Sequence, residues 1–173
     1  TMAVGAAIAE RFLAARFGEW TKHKIYTFIS DGGIQEEISQ GAGRIAGYLG
    51  LSNLIIFYDS NDVQLSTTVN EVTCEDTAAK YRAWNWNVIE INGNDPKALC
   101  SAIELANLET KRPTLIIGHT IMAKGAVAAD GSSTLIATIE GKKHKVTFAG
   151  TSTIEDKREV NTGGDNVEME AGY

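Results

Sequence analysis

A chain of 173 residues with 43% hydrophobic side chains, 22% charged ones and only two prolines has the composition of a compact globular fold, which excludes a disordered or collagen-like polymer. Its 22 acids outnumber 16 Lys plus Arg for a formal charge of -6, and no basic stripe runs along it, so neither nucleic acid nor a membrane surface is an expected partner. The two cysteines, Cys74 and Cys100, lie far apart without metal-type spacing, which reads as reduced thiols in a cytoplasmic setting rather than a disulfide framework or zinc site.

The apolar opening, Ala3 to Phe17, is interrupted by Glu10, Arg11 and Arg16, so it has neither the continuous length of a membrane span nor the charge order of a signal peptide. Within it Val4, Ile8, Phe12 and Ala15 recur at helical spacing, which predicts a helix ending near Gly18 with that stripe buried. Lys24 to Ser30 is a short run of Ile, Tyr, Phe and Ile between turn residues, the pattern of a strand buried on both faces. Asn53 to Asp59, Trp86 to Asn92 and Thr114 to Thr120 repeat the form, separated by stretches long enough for crossovers. This alternation predicts an α/β fold, a doubly wound parallel sheet with helices on both faces.

Between the first pair of strands, about Gln35 to Leu49, Ile38, Ala42, Ile45 and Leu49 fall on one helical face. Gly41, Gly43 and Gly47 interrupt the same helix, each unfavourable by about 1 kcal/mol relative to Ala, and imply close packing. Asp59 to Tyr81 contains a polar segment too long for a tight turn, a place where function often sits. Asp95 and Pro96 open a helix that runs to about Glu109. Beyond Ser133 the composition changes: Thr134 to Glu140 and His144 to Gly150 predict a hairpin joined by Gly141, Lys142 and Lys143, and Asn161 to Tyr173 is polar and expected to be mobile.

The chemistry gathers where the first strand ends, at Ser30, Asp31, Gly32 and Gly33. An acid followed by glycines at a strand's carboxyl end, before a helix, leaves backbone amides open to a phosphate. The second strand ends at Tyr58, Asp59, Ser60, Asn61 and Asp62, and in a parallel sheet both clusters emerge on the edge where doubly wound folds bind ligands. Asp31, Asn61 and a main-chain carbonyl from the next loop form an oxygen set suited to Mg²⁺ bridging a diphosphate. Capping of the following helix by Asp31, and a loop turn by Asn61, account for the same residues. His119, at the end of the last parallel strand, lacks a nearby nucleophile, and Trp84 and Trp86 read as packing residues.

The runs Ser30-Asp31-Gly32-Gly33-Ile34-Gln35-Glu36 and Asn53-Leu54-Ile55-Ile56-Phe57-Tyr58-Asp59-Ser60-Asn61, then Glu75 to Tyr81 and Trp84 to Val88, resemble the diphosphate-binding domain of transketolases. Ala3 to Glu10, Pro113 to Ile116 and Lys124-Gly125-Ala126 fit the same family, so the resemblance covers residues 1 to 133, with residues 134 to 173 unmatched. It implies a thiamine diphosphate site with Mg²⁺ on the cofactor diphosphate. Asp31 and Asn61 would be side-chain ligands, Val63 a main-chain ligand, and Gly32 and Gly33 would meet the diphosphate. It implies two-carbon ketol transfer between sugar phosphates, with the cofactor as carbanion sink and the protein supplying orientation and charge. Glu36 matches a family glutamate near the subunit interface, part of a carboxylate network linking the sites of a homodimer; a first-turn acid complementing a helix dipole is the other reading.

Ser30 stands where the family motif begins with glycine, adding a hydroxymethyl group near the cofactor's expected path. The family's glycine-rich loop and histidines are expected upstream of position 1, and the glutamate that activates the aminopyrimidine belongs to a second domain. Without that acid, general acid and base work worth about 10²- to 10⁴-fold is lost, so the isolated chain is expected to be nearly inactive. A non-catalytic fragment or chimeric scaffold, and an α/β module for another phosphate, are the rival readings.

Overall fold

The computed structural model describes residues 1–64, 67–122 and 124, and the backbone of strands at 134–139, 142–147 and 168–169. It divides into two compact units, residues 1–60 with 75–119, and residues 61–74 with 120–173.

The first unit is a four-stranded parallel sheet of order β1-β2-β4-β3, formed by β1 (Ile25–Ser30), β2 (Leu54–Ser60), β3 (Asn87–Asn92) and β4 (Thr114–His119). Parallel strands require crossovers, and helices supply them. One face of the sheet is covered by α1 (Met2–Phe17), α3 (Glu37–Tyr48) and α5 (Thr77–Ala83), whose Val4, Ala7, Ala46, Ala78 and Tyr81 join Leu54, Tyr58, Leu115 and Ile117 in the larger core. On the other face α6 (Pro96–Leu108) lays Ala102 and Ala106 against Ile55 and Ile116. The predicted doubly wound sheet with helices on both faces is therefore present.

Several local expectations need correction. Of the stripes expected to be buried on the first and second helices, Val4 and Ala42 do pack on the core, but the larger side chains face outward: Phe12 is 65% exposed and Ile38 67%, with Ile8 and Ile45 also exposed. The buried positions are Val4, Ala7, Glu10 and Ala14 on α1, and Gly43, Ala46 and Gly47 on α3. Small residues let the helices approach closely, and a hydropathy stripe overlooks them. At Gly47 an added Cβ would lie 1.8 Å from the Trp84 carbonyl oxygen, so close packing does explain that glycine. The indole of the fully buried Trp86 donates to the Gly43 carbonyl at 2.8 Å, and Trp84 packs on the Tyr81 ring, as the packing reading of both residues requires. β1 is not buried on both faces either; it is an edge strand whose burial alternates, leaving Phe28 82% exposed.

In the second unit Asn61 to Thr73 contains a short helix, α4 (Val69–Val72), and an antiparallel bridge from Val63 to Thr68. β5 (Thr134–Ile139) and β6 (Lys142–Thr147) pair antiparallel, and β7 (Glu168–Met169) adds to the other side of β5. The expected hairpin exists, but Lys142 and Lys143 belong to β6, opposite Ile139 and Thr138, rather than to the connection. Lysines are common on edge strands, where they discourage further pairing, so a polar run there still forms a strand. The mobility expected of the last dozen residues falls largely outside the described residues.

Candidate functional site at the carboxyl edge of the sheet

The carboxyl ends of β1 and β2 lie side by side, with Ser30 opposite Asp59. β2 also pairs with β4, Ser60 opposite His119, so the strand tips form one continuous edge. Asp31 follows β1 directly and Asn61 follows β2 directly in the chain.

Asp31 does not cap the helix. That helix, α2 (Asp31–Gln35), is capped by Ser30, whose Oγ accepts from the Gly33 amide at 3.4 Å. Asp31 occupies the first helical position, only 1% exposed, and its Oδ1 accepts a hydrogen bond of 2.5 Å from the Tyr58 hydroxyl. A buried carboxylate is costly unless hydrogen-bonded, and a donor from the neighbouring strand meets part of that cost. Tyr58 is the partner of Asp31 that sequence reading did not single out. It lies in an apolar run one residue before the acid Asp59, and the register that puts it opposite Ile29, near Asp31, is visible only once the strands are paired.

α2 is five residues long and gives way to α3 at Glu36, so it contributes local amides rather than the summed dipole of a long helix. A Cβ built on Gly32 would meet no described atom within 4 Å, whereas one on Gly33 would meet Ile29 Cγ1 at 3.1 Å. The approach to the backbone is thus open at Gly32, and the Gly33 amide is directed to Ser30. Glu36 is exposed; its carbonyl accepts from the amides of Ser39 and Gln40, while its side chain makes no capping bond.

Asn61 makes the turn that was its alternative reading: its Oδ1 accepts from the Val63 amide at 3.0 Å, around Asp62 in the left-handed region at φ 62°. An amide oxygen has two lone pairs, so this bond is compatible with a further metal bond. The hydrogen bonds flanking the Val63–Thr68 bridge use the Asp62 carbonyl and the Gln64 amide, not the Val63 carbonyl. Asp31 and Asn61 fall in different compact units.

Carboxylate, amide and main-chain oxygens are hard donors of the kind Mg²⁺ takes alongside phosphate oxygens, and the open backbone at Gly32 admits a diphosphate. Within the first unit the Asp31 carboxylate and the open backbone at Gly32 are chemically suited to the implied group. Among the described residues no cluster of three or more His, Cys, Asp and Glu offers an alternative metal centre. His119 stands elsewhere on the edge, exposed and 3.9 Å from Glu90, whose carboxylate pairs with Arg82 at 2.7 Å. Among the described residues no helix is long and apolar enough to cross a membrane.

Residues 1–156 match the family model described as transketolase, thiamine diphosphate binding domain, a match that runs past Ser133. The chain is similar to a transketolase of Xanthobacter flavus, 40% identical over 134 residues, which are 75% of this chain and 20% of that protein. A transketolase of Vibrio cholerae is 42% identical over 137 residues, 76% of this chain and 21% of the relative. Among solved structures, the transketolase of Campylobacter jejuni superposes with a TM-score of 0.70 at 38% identity, covering 72% of this chain and 20% of that one. That of Leishmania mexicana gives 0.65 at 33% identity, covering 68% and 18%. The chain spans about a fifth of the length of the curated relatives it matches.

Proposed function

The chain belongs to the transketolase family, and from that premise we propose that it is the thiamine diphosphate and Mg²⁺ binding part of a transferase that passes a two-carbon ketol unit between sugar phosphates. The observation that carries this reading is the buried Asp31 at the tip of β1, held by the Tyr58 hydroxyl beside the open backbone of Gly32.

Asp31 would hold the metal through its carboxylate, with Asn61 through its amide oxygen and Val63 through its carbonyl. Tyr58 orients Asp31, as an outer-shell donor orients a metal-ligating carboxylate. The Gly32 amide would bind the diphosphate, and Gly33 lets the backbone turn close beneath it. When bound, the cofactor supplies the electron sink for carbon–carbon cleavage, and the protein's share is to fix its orientation and balance its charge. Glu36, exposed at the junction of α2 and α3, would reach a carboxylate network across a homodimer interface. Ile38, Ile45 and Leu49, exposed on the helix that Glu36 opens, support such an interface, because exposed apolar stripes mark contact surfaces. A cytoplasmic location accords with the two exposed free cysteines.

Calorimetric titration with thiamine diphosphate, with and without Mg²⁺, tests the reading. Mg²⁺-dependent binding that is lost in Asp31→Asn is expected; equal binding without the metal, or in the variant, overturns it. The bond from the Gly33 amide to Ser30 Oγ favours a second reading, a scaffold that no longer takes the cofactor, since it occupies an amide of the motif. Absence of heat in either titration selects that reading.

A further inference from the structure

We propose that β1 recognises a second copy of this chain: two molecules join their sheets by antiparallel pairing of β1 with β1 about a twofold axis, in the register that sets Tyr26 of each opposite Phe28 of the other. The pairing uses the sheet edge alone and is independent of cofactor binding and of the exposed face of α3.

The backbone is phased for it. β1 stands at one end of the order β1-β2-β4-β3, so among the described residues only β2 bonds to it. The Ile25 amide donates to the Asn53 carbonyl at 2.7 Å. In-plane groups alternate along a strand, so Ile25, Thr27 and Ile29 spend their amides and carbonyls on β2, while Tyr26 and Phe28 direct theirs away from it. Exposed edges are normally blunted by charge, proline or a bulge. Ile-Tyr-Thr-Phe-Ile-Ser has none of these, and it matches β2 one residue to one throughout. The opposite edge, β3, does carry charge, in the Glu90–Arg82 pair. Growth from β3 is thereby discouraged, and a twofold contact through β1 closes on itself.

Symmetry then selects the register. A twofold axis normal to the sheet keeps each face on its own side, so only residues of one face can stand opposite each other. Centred on Thr27, the pairing makes Tyr26 and Phe28 hydrogen-bonded partners twice over, for four inter-chain bonds. Tyr26 and Phe28, 53% and 82% exposed on one face, come together as aromatic cross-strand pairs. On the other face Ile25 meets Ile29, and Thr27 meets its own copy. Centring on Phe28 would set Ile25 against Asp31, buried at the start of α2, and centring on Tyr26 would set Ile29 against His23, outside the strand.

Charge fits a like partner. No charged residue lies within β1, and in this register Lys24 falls opposite Ser30, so the contact itself sets no like charges against each other. The formal -6 of each copy opposes approach at low ionic strength. An interface of backbone and aromatic groups should therefore tighten with added salt, where an ion-paired one would loosen.

Sedimentation equilibrium of the chain from micromolar to submillimolar concentration tests the proposal, and a salt-strengthened equilibrium between 18.6 kDa and twice that mass is expected. Phe28→Val keeps the amide and should weaken the dimer a few-fold. Phe28→Pro also removes the outward amide, which β2 does not use, and should weaken it about tenfold more. Ile45→Lys, on the exposed face of α3, should leave it unchanged. With Cys74→Ser and Cys100→Ser in place, Thr27→Cys should crosslink two copies on oxidation, because the Cα atoms of a non-hydrogen-bonded antiparallel pair lie about 4.5 Å apart. Circular dichroism melting keeps loss of fold apart from loss of pairing. A monomer at every concentration, weakening by salt, equal dimerisation of the folded valine and proline variants, loss of the dimer in Ile45→Lys, or no crosslink in Thr27→Cys overturns the proposal.

Discussion

Two glycines six residues apart on α3 should respond in opposite ways to the same methyl group. At Gly41 an added Cβ meets no described atom within 4 Å, so Gly41→Ala gains helix propensity and should stabilise the protein by about 1 kcal/mol. At Gly47 the same Cβ would sit 1.8 Å from the Trp84 carbonyl oxygen, 3.0 Å from its carbon and 3.1 Å from Trp86 Cδ1, so the chain at Trp84 must retreat by more than 1 Å. That segment is poorly placed to yield. Trp86 is fully buried and anchored to the Gly43 carbonyl, Asn85 holds a left-handed φ of 66° and donates to the Gly47 carbonyl, and Trp84 is packed on Tyr81. Overpacking of this kind costs about 1 to 3 kcal/mol and the strained indole bond about 1 more, against about 1 kcal/mol of propensity returned. Gly47→Ala should therefore lose about 1 to 3 kcal/mol, lowering Tm by roughly 2 to 12 °C, while Gly41→Ala raises it. Urea and thermal unfolding of the two variants measure the difference. Equal stability would refute the account of α3 as a helix admitted to the sheet by small residues.

Tyr58→Phe removes the donor to Asp31 Oδ1 and should weaken Mg²⁺-dependent thiamine diphosphate binding about 10- to 100-fold by calorimetry; unchanged affinity would deny Tyr58 a positioning role. Asn53→Asp puts a second buried carboxylate in place of an amide that donates to Glu10 at 2.6 Å. The pair cannot both ionise, so the variant should lose about 3 to 5 kcal/mol at neutral pH and recover part of it on acidification, as the folded state takes up the shared proton. A loss independent of pH in urea unfolding would contradict this. The Glu109 carboxyl is held below its ordinary 4.5 by the Lys111 amide and then by Arg112, despite burial pulling the other way. A carboxyl depressed in the folded state contributes stability that is present above its unfolded value and lost as pH falls through the folded one. The urea midpoint should thus fall as pH drops below 4.5, and Glu109→Gln should flatten that dependence.

What was legible in the sequence follows from what each element buries. β2 and β4 lie under helices or neighbouring strands, so Leu54-Ile55-Ile56 and Leu115-Ile116-Ile117 announce themselves as unbroken apolar runs. The helical faces did not, because α1 and α3 pack through Ala7, Ala14, Gly43, Ala46 and Gly47, while Phe12, Ile38 and Ile45 project outward. Hydropathy weights side-chain size and hides a contact made through the absence of one. At the candidate site Asp31 and the glycines are recognisable from their order, yet the residue that holds Asp31 is 27 positions away. The same limit hides the pairing of Glu10 with Asn53, 43 residues apart: a buried acid inside an amphipathic helix reads as a surface charge until its donor is found.

The edge position of β1 bears on how the protein must be handled. Among the described residues no strand pairs with its outer side, and the aromatic Tyr26 and Phe28 flank that bare backbone. Unsatisfied amides and carbonyls beside sticky rings form a template onto which another polypeptide can zip. Concentrated stocks should consequently self-associate through this margin, and a charged replacement such as Phe28→Lys offers the direct remedy, since it taxes the intermolecular ladder and gives up only the edge contact of an 82% exposed ring with Phe57.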